Sequence, residues 1–348
     1  MKKVIVTLSL FASLGVFLAA CSKTKDLMET GDQQQTEAFK TDHSAAESKF
    51  AQEPIHFNAP FVFPEGMVYD PSTDRFLVSS IAQGMIGAVS REGVYSTFIQ
   101  DADLASTAGM EIDKAQKRLL VTNSNIGGTL AQLAIYDLNT KARLFLVDLA
   151  AVANDGAPHL ANDVAIDQQG NAYVTDSYAG IIYRIDRFGN ASIFYQNPAF
   201  TPAPGGFGFN GIEYSNSEQG YLLVAHSALN QVLKIPINNP SDFTTVQLNT
   251  PIVSPDGLLL SKNGKELIIV NNTVQFPGSK VMSFETNDGW ETGTSTGTFE
   301  TGIVYPTTLT SDGKTEYVLY SYIHLLMGGQ PKETFTIQPL PFASNKPF

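Results

Sequence analysis

The chain has 348 residues, 34 of them acidic and 22 basic, giving a formal net charge of −12, and it carries one cysteine. With 43% hydrophobic and 16% charged residues it can bury a large core, which excludes disorder over most of its length. The acidic balance leaves no basic face for nucleic acid, and one cysteine rules out an intramolecular disulfide or a Cys-rich zinc site.

Residues 1–20, MKKVIVTLSLFASLGVFLAA, place two lysines ahead of a charge-free apolar run, the n- and h-regions of a bacterial secretory signal. The run is nearly long enough to be a transmembrane anchor, and its ending decides between the two. Leu18-Ala19-Ala20-Cys21 resembles the lipobox of bacterial lipoproteins, which implies cleavage before Cys21 and acylation of that cysteine. The chain is thus expected in the bacterial cell envelope, held to a lipid bilayer by its N-terminal acyl anchor. Ser22 follows where an aspartate could stand, which favours the outer membrane or its periplasmic face. Residues 21–55 are polar without a sustained apolar period and predict a flexible tether, so the globular part is expected over 56–348.

Six short runs then recur: GMVYD (66–70), GMEID (109–113), DVAID (163–167), GIEYS (211–215), GLLLS (257–261) and TTLTS (307–311). Each ends in Asp or Ser, passes a polar turn and enters a β-rich run such as FLVSS, LLVTN, AYVTD or LIIVN. A third strand follows in most units and a fourth in several. The starts lie 43, 54, 48, 46 and 50 residues apart, the length of a four-stranded propeller blade. A sandwich would not repeat one strand–turn–strand text six times, so the expectation is an all-β, six-bladed β-propeller. The sixth unit runs out of chain, and 55–63, IHFNAPFVF, is expected to complete its sheet and pair the open edge.

The first strand of each blade lines the central channel, so equivalent positions form a ring. Immediately before the six starts stand Glu65, Ala108, Asn162, Asn210, Asp256 and Pro306. Four carry side-chain oxygens, the donors that hard divalent cations take. No imidazole or thiolate sits in the column, so one Ca2+ is the first expectation, with Zn2+ or Mn2+ open. Asn-Gly and Asp-Gly are also turn dipeptides. Their register with the repeat, and Glu65, which is no turn former, favour a central-channel metal site of Glu65, Asn162, Asn210 and Asp256. Asp70, Asp113 and Asp167, four residues after their starts, read instead as turn caps.

Pro64-Glu65-Gly66, Asn162-Asp163, Asn210-Gly211 and Pro255-Asp256-Gly257 resemble the metal-binding motifs of the SMP-30/gluconolactonase/luciferin-regenerating-enzyme family, over roughly 60–325. The resemblance implies a six-bladed propeller with one catalytic divalent ion that hydrolyses lactones or related esters. It also names Asp256 as candidate base, the alternative being that the residue serves as a ligand alone. The chain departs from the family where sugar-lactone hydrolases carry an arginine, here Leu160, and where paraoxonase-like relatives carry a histidine, here Ala108. Blade three, NDVAIDQQGNAYVTDSYAGIIYRID, also resembles an NHL-type repeat, which implies the alternative of a non-catalytic propeller that binds a ligand or protein around a structural calcium.

Ester hydrolysis needs a polarised carbonyl and an activated water, and a bound cation with a nearby carboxylate can supply both. His159, in the loop leading to Asn162, and His226 and His324, at strand ends, are candidates to reach a substrate at the channel mouth, although such histidines are more often structural. The run Gly205-Gly206-Phe207-Gly208-Phe209 and the loop 273–279 are expected at the rim, with Phe207 and Phe209 offering apolar contact to the ligand. Trp290 is expected at the periphery of blade five, structural or exposed. No Gly-x-Ser-x-Gly elbow or phosphate loop competes.

Overall fold

The computed structural model describes residues 52–217, 219–274 and 278–342. Cys21, the signal and most of the expected tether lie outside the described residues. Among those described, no helix is long and apolar enough to cross a membrane.

Six sheets stand around one channel. Their inner strands are Met67–Asp70, Thr107–Asp113, Ala161–Ile166, Phe209–Ser215, Pro255–Leu260 and Pro306–Ser311. Each neighbours the next and the last returns to the first, which closes a six-bladed propeller. In the first four blades the strands follow chain order from the channel outward, pairing antiparallel. Both faces of every blade are covered by neighbours, so the second strands Arg118–Ser124, Tyr221–His226 and Glu266–Asn271 are buried at every position. That is why these segments read as unbroken apolar runs rather than alternating ones. Separate apolar clusters fill the gaps between successive blades; Leu77, Ile86, Met110 and Leu119 join blades one and two, for example.

The expected closure is present in a shorter form. Ile55–Asn58 pairs antiparallel with Thr334–Pro339, with Phe57 opposite Phe335, and forms the outer edge of the sixth sheet. Phe61 (φ 60°) and Phe63 (φ 44°) then adopt left-handed backbone, so 59–63 leaves the sheet and turns toward the channel. The Phe63 ring still packs edge-on against Phe335 at 5.6 Å.

The turn caps are as read. Asp70 accepts from Ser72 N and the Ser72 and Thr73 hydroxyls, Asp113 from Gln116 N, and Asp167 from Gln169 N and Asn171 N. The longest spacing, 54 residues, accommodates helix α1 (Leu149–Ala153), whose first turn is capped by the Asp148 carboxylate on Ala151 N at 3.0 Å. Blade four ends in the two-residue strand Thr244–Thr245. The next segment, Gln247–Leu248, pairs parallel with Thr292–Gly302 and gives blade five a fifth strand. Trp290 is fully buried between blades four and five, its indole N–H donating to Gly264 O at 2.8 Å.

Candidate active site at the channel mouth

Five of the six inner strands slip register at the same point. The shifts fall between Thr107 and Met110, Ala161 and Val164, Phe209 and Ile212, Pro255 and Leu258, and Pro306 and Leu309. A bulge leaves residues unpaired and re-aims their side chains. The residues it frees include Asn162, Asn210 and Asp256, so the ring column and the bulge are one feature. Asn210-Gly211 and Asp256-Gly257 are therefore strand bulges, not turns. Their glycines allow close approach of neighbouring strands. A Cβ on Gly211 would lie 2.3 Å from Asp256 O, and one on Gly257 2.5 Å from Thr307 O.

Hydroxyls at the inner ends of the blades hold this ring in place. Thr122 donates to Asn162 O and Thr175 to Asn210 O, each at 2.7 Å, and Thr307 donates to Glu65 O at 2.6 Å. One residue earlier, Ser124 donates to Ala161 O, Ser177 to Phe209 O, Ser227 to Pro255 O and Ser321 to Pro64 O. Each bond ties a blade to the backbone of the next ring residue. The sequence carries a signal for these bonds in the Ser or Thr that recurs after second-strand runs, in VTNS, VTDS, VAHS and VLYS.

Glu65, Asn162, Asn210 and Asp256 all line one cavity of about 590 Å³. Asn272, at the end of blade five's second strand, donates from Nδ2 to an Asp256 carboxylate oxygen and fixes its orientation. Asn210 Nδ2 donates to Ser227 Oγ at 3.0 Å, while Asn210 Oδ1 is buried without a hydrogen-bond partner. An orphaned amide oxygen beside two carboxylates matches the donor chemistry of a hard cation. Among the described residues no three His, Cys, Asp or Glu side chains form a metal-binding group, so a cation here would depend on the two amide oxygens as well as the carboxylates.

Burial pushes Glu65 well above the usual carboxylate range, and the charges of Asp256 and Asp163 push it further. Asp256 is pushed well up by burial and by Asp163. Asp163, beside Asn162 and without an assigned role in the sequence reading, is raised to about 6 by burial, although Val164 N and Ile212 N donate to it. Tyr305 also lines the cavity. Its phenol is pushed up to about 12 by burial and by the Asp256 and Glu65 charges, so it keeps its proton.

The walls are apolar. Ile81, Ala105, Leu160, Phe207 and Tyr305 contribute, together with Ile323, Leu326 and Met327 of helix α2 (Ile323–Met327). Phe207 stands at the rim as expected, its ring 5.9 Å from that of Tyr178. Phe209 does not; it is fully buried among Phe200, Tyr195 and His226 between blades three and four.

The structure brings none of the three candidate histidines into the cavity lining. His159 is buried, with Nδ1 on Asp176 at 2.7 Å and Nε2 on Asp155 at 3.0 Å. The Asp176 bond, helped by Asp155, raises it to about 9, and the pair latches the loop leading to Asn162. His226 accepts from Leu229 N and donates from Nε2 to Phe200 O at 2.9 Å, and burial lowers its pKa. His324 sits in α2 rather than at a strand end, its ring 5.8 Å from that of Tyr305, behind the wall.

No protein-family model matches the sequence, and no curated protein matches it significantly. Solved structures do resemble the fold. The allergen Mala s 1 of Malassezia sympodialis superposes with a TM-score of 0.66 at 15% identity, over 83% of this chain and 96% of that one. A gluconolactonase from Xanthomonas campestris gives 0.58 at 14% identity, over 85% and 93%. Regucalcin, a calcium-binding protein from Agrobacterium tumefaciens, gives 0.56 at 13% identity, over 83% and 94%. At these identities the likeness is one of fold: this chain is a six-bladed β-propeller of the architecture shared by gluconolactonase and regucalcin.

Proposed function

We propose that this propeller is a divalent-cation-dependent hydrolase of lactones or related esters. The observation that carries the reading is the ring of Glu65, Asn162, Asn210 and Asp256 at one apolar-walled cavity, with Asn210 Oδ1 buried and unpartnered. The calcium-binding and gluconolactonase propellers of the same architecture support it. These four residues would hold the cation, Ca2+ by their donor chemistry, and the cation would supply charge for a developing oxyanion and an acidified water.

The chain's own groups do the rest. Burial and neighbouring carboxylates hold Glu65 and Asp256 well above the usual carboxylate range, so a cation held by the ring would favour their ionised forms and its uptake would release protons. Asn272 holds the Asp256 carboxylate in one rotation, which suits it to orient a water and receive its proton. Tyr305 stays protonated and can donate to a substrate oxygen in the cavity. The apolar walls exclude bulk water and strengthen these polar contacts. We further propose, from Leu18-Ala19-Ala20-Cys21, that the enzyme works on the envelope side of a bacterial membrane, tethered through an acylated Cys21.

The test is hydrolysis of a lactone and aryl-ester panel with added Ca2+, Mn2+ or Zn2+ and with chelator. Asp256→Asn should lower kcat by about a hundred- to a thousandfold, in the range seen when a group central to transition-state charge is removed. Unchanged rates would remove Asp256 from the mechanism. Cation uptake with no turnover of any substrate would instead favour the non-catalytic binding propeller.

A further inference from the structure

The cavity is chemically two-sided. Its floor is the oxygen ring, while its walls are apolar: Ile81, Leu160 and Phe207 on one part, Ile323 and Met327 of α2 on another. The i, i+3, i+4 spacing of Ile323, Leu326 and Met327 turns one side of that helix to the cavity. At the opening the apolar surface continues outward. Ile126 is 78% exposed, Met327 66% and Phe207 37%, and all three line the same cavity. Among the described residues that line it there is no lysine, arginine or histidine. A bound divalent cation would be balanced by Glu65 and Asp256, so an anionic substrate would find no cationic side chain to receive its charge. Ser106, Asn125 and Ser254 also line the cavity, but a polyol reaching along the walls would leave most of its hydroxyls against Ile, Leu, Phe and Met, at the cost of desolvating them.

From this division we infer that the site takes neutral lactones or esters carrying a linear aliphatic chain, the carbonyl end at the oxygen ring and the chain running out between Phe207 and α2 to Ile126. The inference rests on the hydrolase reading for the reaction but on the walls and rim alone for the ligand. The apolar rim gives the chain a place out of water, and each buried methylene contributes in proportion to the surface it hides. Loops at a rim also let one cavity accept chains of different length.

Two series measured on the full-length chain separate the ligand class from the chemistry. The first is kcat/KM for δ-lactones with alkyl substituents of increasing length. The second is calorimetric affinity for the matching δ-lactams, whose ring amide resists hydrolysis. Both should rise about three- to fourfold per methylene until the rim is covered. A double variant, Ile126→Asp with Met327→Asp, alters two exposed side chains and should reduce the gain to under about 1.5-fold per methylene in both series, by putting charge beside the chain. A flat series, an unchanged slope in the double variant, or preference for a sugar lactone over the alkyl lactones would overturn the inference. A rising lactam series with no lactone turnover in any cation would support this ligand class and sink the hydrolase reading. Turnover without a chain-length gain would do the reverse.

Discussion

The two ends of the propeller differ in chemistry although one set of strands builds both. At the mouth, the loops entering the inner strands and those joining second to third strands expose large apolar residues. Phe61, Ile126, Phe207, Leu229, Val253, Val274, Ile303 and Met327 make up eight of the twelve exposed large hydrophobics among the described residues. At the far end, the turns after the inner strands carry ion pairs instead. Arg91 bridges Asp74 and Asp312, each at 2.8 Å, and Arg118 meets Asp113 at 2.8 Å. A turn has to satisfy its own backbone, and Asp does so cheaply, so the far end reads as architecture. The mouth leaves apolar surface and an orphaned amide oxygen in place, costs that stability alone does not explain. Left-handed backbone occurs at both ends, at Asp74, Lys117 and Lys141 in far-end turns (φ 50°, 52° and 63°), but at the mouth it recurs in register: Phe63, Ser254 and Tyr305, each just before a proline and an inner strand, hold φ of 44°, 46° and 51°. The lesson is that function gathers where local rules are broken.

That contrast breaks first if the far end proves to matter for turnover. Arg118 is 4% exposed and bonds Asp113, Gly170 O and Arg187 O, so it pins blade two to blade three. Arg118→Ala leaves Asp113 buried and unpaired, and should cost about 3–5 kcal/mol of stability. Thermal unfolding would show it as a lowered Tm, with kcat of the remaining folded enzyme unchanged. A large fall in kcat at full folding would mean that the two ends are not separable.

The next largest effect belongs to His159, which lies at the mouth end but acts as a latch. Its folded pKa of about 9 stands above the ordinary histidine value of 6.5, so its contribution is complete below about pH 6.5 and fades as pH climbs through 9. The amount is about 2–3 kcal/mol. Stability measured with saturating cation, which holds the ring carboxylates ionised, should fall over that window in the parent and stay flatter in His159→Asn. Equal slopes would strip His159 of the role.

An effect of similar size but opposite pH sign should come from the ring itself. Because Glu65 and Asp256 are raised in the fold, they must lose protons to hold a cation, and affinity should increase with pH. At a hundred times the dissociation constant, Ca2+ should add about 2.7 kcal/mol of stability, detectable as a higher Tm that Glu65→Gln abolishes. A Tm indifferent to cation at every pH would count against the ring as a metal site.

How much of this could be read without coordinates depends on whether a signal repeats. The six starts and the column before them were legible because a propeller writes each ring position six times, and the structure places all four oxygen residues on one cavity. The hydroxyls were equally periodic, but Ser and Thr after an apolar run look like ordinary strand ends. His159, His226 and Phe209 each occur once, and a single residue beside a ligand position in sequence can point the other way in space. Phe207 and Phe209 show this directly. Two residues apart, one is at the rim and the other has entered the inner strand, where both sheet faces are covered. Helix α2 interrupts blade six with no counterpart among the described residues of the other blades, so comparison between repeats could not reveal the wall it builds.

The finest test of the contrast uses one chemical change at both ends. Phe188 is 64% exposed in the turn after blade three's third strand, with the Arg187 guanidinium 4.7 Å from its ring. Phe207 is 37% exposed at the mouth, beside Tyr178. Neither ring is a core residue, so each Phe→Ala substitution should shift stability by no more than about 0.5–1 kcal/mol. Their functional consequences should differ. Under the proposed function, removing the Phe207 ring would take away a wall contacting substrate before and during reaction alike, so KM should rise several-fold with kcat little altered. Removing Phe188 should leave both constants within error. If the two variants behave alike in kcat and KM, apolar exposure at the mouth carries no more meaning than apolar exposure elsewhere.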